Sequence, residues 1–322
     1  MKRINHEELG KLVELHYNKK IPLMCMGGVG IGKSEVIKSV AEKIAKGKNK
    51  KFIDWNKTSS KDKKALIGNI KDKFLFCDLR ASQLDPSDLR GIPSFNGGND
   101  YVDWKPNLMF LILSEKEADG VLFFDEMNQS SPLVMASLFQ IFLDRAIGEI
   151  SLSNEVGIFS AGNRASVDRA NVFEIPSPLK DRMSEVELVV PDINKWNDWA
   201  LNNKVDGRII GFLNWKPSRL YNVEKNSADK SSTPRGWYRC SNLIDGITDL
   251  EELELISSSA IGEATAIEFS AFIKLQRKVD IKDLLNNPEK IKEIKEIDLK
   301  YSLLSSANEY YKLNKKKEVL EK

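Results

Sequence analysis

Two short stretches hold residue types at spacings suited to phosphate chemistry. Gly27-Gly28-Val29-Gly30-Ile31-Gly32-Lys33-Ser34 fits G-x-x-x-x-G-K-[ST] at every fixed position. Its glycines let the backbone fold tightly, so that successive N–H groups converge on phosphate oxygens. Gly28, Val29, Gly30, Ile31, Gly32, Lys33 and Ser34 are therefore expected to cradle the phosphates. Lys33 should reach the β- and γ-phosphates, and the Ser34 hydroxyl should ligate Mg²⁺. The second stretch, Val121-Leu122-Phe123-Phe124-Asp125-Glu126, is an apolar run ending in two carboxylates. Asp125 is the expected metal holder, directly or through water, and Glu126 the group that orients and activates an attacking water. An acidic strand end is common by itself. Downstream of a phosphate loop, it predicts Mg²⁺-dependent hydrolysis of a nucleoside triphosphate, with ATP the expected substrate.

Both stretches need a scaffold that brings distant residues to one place. Leu23–Met26 is a short apolar run before the glycines, and Glu35–Ala45 has helical periodicity after them. Further apolar runs stand at Phe74–Leu79, Val121–Asp125, Gly157–Ala161 and Val186–Val190. Helical patterns such as Met109–Glu117 and Val134–Asp144 lie between them, and a leading helix is expected over His6–Tyr17. The alternation predicts an α/β fold, a five-stranded parallel sheet between helices. In such a sheet functional groups gather at the carboxyl ends of the strands. After Pro191 the pattern is helical only. The reading is a nucleotide-binding core over 1–191 and a helical domain with C-terminal helices over 192–322. Lys46–Lys73 is lysine-rich and reads as a solvated loop with frayed helix, an anionic surface being the lesser alternative. Within Lys290–Lys322, Ile291, Ile294, Ile297, Tyr301 and Leu304 share one helical face, which predicts a docked helix that frays.

Bulk properties exclude several classes. At 322 residues and 41% hydrophobic, the chain has ample material for a core. No apolar run is long enough to span a bilayer, and the charged, helix-patterned start does not read as a signal peptide. Forty-nine basic and 47 acidic residues leave a formal charge of +2, which favours no polyanionic partner. Three scattered cysteines without metal-ligand spacing fit buried thiols in a reducing, cytoplasmic compartment.

In order along the chain, these motifs resemble those of the MoxR branch of AAA+ ATPases, over about Ile21–Ile273. The stretches that carry the resemblance are Asp88-Leu89-Arg90-Gly91, Asp125-Glu126-Met127-Asn128, Leu143–Glu149, Ala161-Gly162-Asn163-Arg164 and Thr233-Pro234-Arg235. It implies a phosphate-loop AAA+ core with an all-α lid. It makes Asn163 the sensor that bonds the water or γ-phosphate beside Glu126; local backbone capping is the ordinary use of such an Asn. Arg182 matches the arginine finger reaching a neighbouring subunit, for which a planar, permanently charged fork is suited. A surface ion pair is its alternative, and Arg169 is a second candidate. Families of this type carry Phe after that arginine, whereas this chain has Met183. Arg235 matches the lid arginine that contacts the γ-phosphate, at a helix start marked by Thr233 and Pro234. Trp237 reads as lid core. Leu89–Trp104 and Ala146–Val156 resemble two hairpin insertions that point toward the pore of a ring.

The resemblance implies a ring-forming remodelling chaperone, expected as a hexamer of this chain. Its partner would be a protein, possibly with a von Willebrand A domain. One alternative is a nucleic-acid motor. Backbone binding to nucleic acid needs basic residues, yet Gly148–Val156 carries Glu149 and Glu155 without Lys or Arg. Phe95–Trp104 likewise carries only Asp100 and Asp103. Nucleic acid is disfavoured on that count, and Tyr101 and Trp104 are left to grip polypeptide or to pack in the core. A slow nucleotide-controlled binding switch is the third reading.

Overall fold

The computed structural model describes residues 1–94, 102–164, 172–223, 231–277 and 289. The chain divides by its own packing into two compact units, Met1–Val189 and Val190–Lys322.

The first unit runs β1 (Lys2–Ile4), α1 (His6–Lys19), β2 (Leu23–Gly27), α2 (Lys33–Gly47), β3 (Lys51–Asp54), α3 (Ser60–Lys64), β4 (Lys73–Arg80) and α4 (Pro86–Arg90). It continues with β5 (Ile92–Ser94), β6 (Asp103–Lys105), α5 (Leu108–Leu113), β7 (Gly120–Asp125), α6 (Pro132–Asp144), β8 (Ala146–Ile147), β9 (Ile150–Ser151), β10 (Val156–Gly162), α7 (Ser177–Lys180) and β11 (Ser184–Leu188). One sheet has the order β1-β11-β2-β10-β7-β4-β3, and every pairing in it is parallel.

The α/β class expected from the sequence is the one observed, with all five expected strands. The sheet is nevertheless seven-stranded, not five-stranded. β1 extends one edge beside β11, and β3 extends the other beside β4. β10 stands between the strand that opens the glycine loop and the strand that ends in Asp125. Its carboxyl end therefore lies between the two motifs. The central strands are apolar throughout because helices cover both faces: all seven residues of β10 are buried, and so are five of six in β7.

The lysine-rich segment needs the larger correction. Instead of a solvated loop it supplies β3, the turn Trp55–Lys57 and α3, and it buries Trp55, Leu66 and Ile70. Most of its lysines remain exposed while these apolar residues reach the core. The short helix α5 ends at Leu113, before the expected Glu117, because the chain turns at Ser114 toward β7.

Charge is buried at the amino end of the sheet with full compensation. Asp119 accepts from the Tyr17 hydroxyl and pairs with Lys48 at 2.9 Å and Lys50 at 3.0 Å. A buried carboxylate without such partners would be strongly destabilising. Glu155 joins the same cluster through Lys20 and Lys48, each at 3.3 Å. Glu155 therefore belongs to this ion-pair group and not to the tip of the β8–β9 hairpin.

The second unit contains α8 (Ile193–Asn202), α9 (Gly207–Trp215), α10 (Pro234–Leu243), α11 (Leu250–Ile261) and α12 (Glu263–Gln276). Phe212, Trp215, Trp237, Phe269 and Phe272 interlock around a core of their own. Among the described residues no helix is long and apolar enough to cross a membrane. The tail helix expected over 290–322 lies outside them, as do Arg169, Tyr101 and residues 95–100 of the first hairpin. The rest of that hairpin is present as antiparallel β5 and β6.

Candidate functional site

The glycine loop joins β2 to α2 with the backbone such a turn requires. Gly30 has φ 73° and Gly32 φ 97°, a left-handed region that strains any residue with a Cβ. Gly27 is needed for another reason. A Cβ there would sit 2.8 Å from the Leu188 carbonyl oxygen. Ile31 is buried and pins the loop to the core, whereas Val29 is 41% exposed. Helix α2 begins at Lys33, and its N-cap Gly32 offers no side chain to cap the first turn. His6, at the start of α1, holds the loop from outside: its Nε2–H donates to the Ile31 carbonyl at 2.6 Å.

Lys33 is 8% exposed, and a cation so buried needs acceptors. Its Nζ donates to Gly27 O at 2.7 Å, Gly28 O at 2.8 Å and Asn163 Oδ1 at 2.9 Å. The loop lysine and the residue at the end of β10 are thereby directly joined. Ser34 Oγ donates to Asp125 Oδ2 at 2.8 Å, which joins the loop to the end of β7. Two oxygen donors this close fit one octahedral Mg²⁺ that keeps most of its waters.

Glu126 follows with φ 54° and ψ 33°, left-handed for a residue with a side chain. That conformation costs about 1–3 kcal/mol and recurs at functional sites. It is fixed by its own N–H donating to Asp125 Oδ1 at 2.9 Å. Its carboxylate accepts from Ser82 Oγ at 2.6 Å. Asn163 is clamped just as firmly. Its N–H donates to Asn128 Oδ1 at 3.0 Å, and Asn128 Nδ2 donates back to its carbonyl at 2.7 Å. Gly162 permits the approach, because a Cβ there would lie 2.8 Å from Asn128 Oδ1, Met24 Cε and Met26 Sδ.

A second acid borders the site. Asp78 on β4 is pushed up to about 6, first by burial and then by the Asp125 charge, with Arg80 opposing. Its Oδ1 is buried without a hydrogen-bond partner. The cysteines are removed from this chemistry: all three are free and buried, and burial pushes the Cys25 thiol up to about 12.

Gly28–Ser34, Asp125, Glu126 and Asn163 thus converge on one end of the sheet. One expected residue of the same unit is not brought into that cluster. Arg182, after α7, is exposed and makes no side-chain bond among the described residues, while the adjacent Met183 is core. Met183, 7% exposed, anchors the segment to the core. Arg235 belongs to the second unit, exposed in the first turn of α10, where Thr233 Oγ1 caps Gly236 N at 3.0 Å. Trp237 is fully buried and donates from Nε1 to Arg219 O at 2.8 Å. Sequence reading did not single out Ser82, Asn128 or His6 for the site.

No protein-family model and no curated protein matches the chain. Among solved structures, a Cytophaga hutchinsonii protein assigned as an ATPase shares 15% identity at a TM-score of 0.37, covering 80% of this chain and 81% of its own. NtrX from Brucella abortus with ADP shares 13% at 0.41, covering 97% and 65%. NtrX with ATP shares 14% at 0.39, covering 74% and 47%. Likenesses this distant carry no argument about activity.

Proposed function

We propose that the chain is a Mg²⁺-dependent ATPase of the AAA+ type, resembling the MoxR branch. In this reading it assembles as a ring, expected to be a hexamer, and spends ATP turnover on remodelling a protein partner in the cytoplasm. The observation that carries it is the linkage of three motifs by two side-chain bonds: Lys33 to Asn163 at 2.9 Å and Ser34 to Asp125 at 2.8 Å. These bonds join β2, β7 and β10 at their carboxyl ends, where phosphoryl transfer needs positioning and charge stabilisation more than covalent help.

Each residue then has a defined task. The loop N–H groups and Lys33 bind the triphosphate. Ser34 and Asp125 hold Mg²⁺, which neutralises charge on the β- and γ-phosphates when bound. Glu126, kept in place by Ser82, orients the attacking water and accepts its proton. Asn163 fixes that water or the γ-phosphate. Arg182 and Arg235 contribute positive charge, the first to a neighbouring subunit's site and the second to its own. A von Willebrand A domain partner is one form the substrate could take.

The decisive experiment compares two substitutions. Lys33→Ala should lose Mg-ATP binding, whereas Glu126→Gln should bind normally and turn over about 10²–10⁴-fold more slowly, as loss of a positioned base does. Calorimetric affinity and phosphate release measure the two. Normal turnover in Glu126→Gln would remove its assignment as base, and a wild type without Mg-dependent nucleotide affinity would remove the whole reading.

A further inference from the structure

Two surfaces of opposite charge lie outside the nucleotide chemistry. The first follows the β3 edge of the sheet. Between Lys43 and Lys73 there are eleven lysines and three aspartates. Lys43, Lys48, Lys50, Lys71 and Lys73 are paired with acids. Lys46, Lys51, Lys57, Lys61 and Lys64 are exposed and hold no ion pair among the described residues. They belong to the end of α2, to β3, to the turn after it and to α3.

The second surface is on the helical unit. From Cys240 to Ile273 there are seven acids and no Lys or Arg. Glu268 is paired with Arg219 and Lys216. The other six, Asp245, Asp249, Glu251, Glu252, Glu254 and Glu263, hold no ion pair among the described residues. Four of them cap or open α11.

A lysine run is ordinarily a solvated face, or a guard against edge-to-edge pairing of strands. Here the basic side is folded over buried Trp55, Leu66 and Ile70. A counterpart of opposite sign exists in the same chain. Each face also carries an exposed aliphatic residue, Ile67 at 47% and Leu255 at 72%. That mixture suits a protein surface better than a phosphate backbone. We infer that the lysine-rich sheet edge of one copy docks on the acidic α11 face of a neighbouring copy. The two faces differ, so the contact is head-to-tail and generates a ring when its rotation closes. The inference rests on the ring reading and names the surfaces that make the ring. Opposite charges would set register and speed encounter.

A charge-swap experiment tests it. One variant carries Lys57→Glu, Lys61→Glu and Lys64→Glu, which turns the segment after β3 and α3 from basic to acidic, like its α11. The other carries Glu251→Lys, Glu252→Lys and Glu254→Lys, which turns the opening of its α11 from acidic to basic, like its sheet edge. Assembly with Mg-ATP is followed by sedimentation velocity, and nucleotide affinity is measured alongside. Each variant alone should need at least about tenfold more protein than wild type to assemble, because like charges then face each other. An equimolar mixture should recover assembly, since every contact again pairs opposite signs. Salt raised from about 50 mM to about 500 mM should weaken wild-type assembly several-fold through screening. Glutamine versions at the same positions keep the readout if a reversed variant misfolds by circular dichroism; each should weaken assembly alone, and mixing should restore it only in part, since an alternating arrangement regains every second contact. Wild-type assembly by either reversed variant alone, or a mixture that does not recover, overturns the inference while leaving the ring intact. A wild type that stays monomeric while binding ATP removes the ring itself and the inference with it. Loss of polynucleotide binding in the lysine variant, with assembly unchanged, would assign that face to nucleic acid and overturn the inference too.

Discussion

Asp78 lies where a carboxylate is hardest to ionise, beside Asp125 and with one oxygen buried and unpartnered. Its folded value of about 6 stands above the ordinary 3.8. Between those two pH values the folded chain holds a proton that the unfolded chain releases. Stability contributed by this group is therefore present below pH 4, declines through the window and is lost above about pH 6. The remedy is to remove the charge. Without nucleotide or metal, Asp78→Asn should be more stable than wild type by about 1–2 kcal/mol at pH 7.5, after allowance for solvent screening. Below pH 4 it should show no gain. Denaturant melts at both pH values measure this, and equal differences at both would remove the assigned cause. Asn128 has the opposite importance, since it satisfies both backbone groups of Asn163. Asn128→Ala leaves two buried groups unpaired, at a cost of about 2–4 kcal/mol. It should lower kcat about tenfold or more while nucleotide affinity stays within about twofold, because the Asn163 amide loses its fixed direction. A matched loss in both constants would make the role merely structural.

At the scale of elements, α1 gives the phosphate loop a support that neighbouring residues cannot provide. The Asn5/Glu8 capping box fixes the first turn of α1, and His6 in that turn grips the Ile31 carbonyl. His6→Ala should weaken Mg-ATP binding several-fold up to about tenfold, the loss expected for one half-buried hydrogen bond of about 1–1.5 kcal/mol. It should leave kcat at saturation nearly unchanged. A fall in kcat with affinity preserved would place His6 elsewhere in the cycle. The support also marks the limit of what the sequence discloses. The loop, the acidic strand end and the five central strands are legible because each is a local pattern, a fixed spacing or a continuous apolar run. His6–Ile31, Asn128–Asn163 and Ser82–Glu126 join residues 25, 35 and 44 apart. No periodicity encodes such pairings; strand order creates them. The edge strands escaped for a different reason. β1 buries only Ile4, and β3 lies in a lysine run with half-buried residues, so neither shows an apolar signal. Tertiary pairing formed both strands against weak local preference.

At the scale of the whole molecule, the proposed activity is shared between neighbouring copies of the chain. The loop and the proposed metal ligands and base are gathered within Met1–Val189, yet Arg182 is exposed and bonded to nothing described. A permanently charged fork held out from a buried anchor, Met183, suits delivery to a site on another copy. Complementation can test this directly. Arg182→Ala keeps a complete pocket and lacks only the delivered charge; Glu126→Gln keeps the charge and lacks only the base. Each should be nearly inactive alone. In a head-to-tail ring, an Arg182→Ala pocket becomes competent whenever its neighbour is a Glu126→Gln subunit. Random equimolar mixing should therefore restore about a quarter of wild-type turnover. Phosphate release against mixing ratio should peak near equal amounts and vanish at both ends. If Arg182 serves the pocket of its own chain, no mixed arrangement contains a whole site, and turnover stays at the level of the two parents.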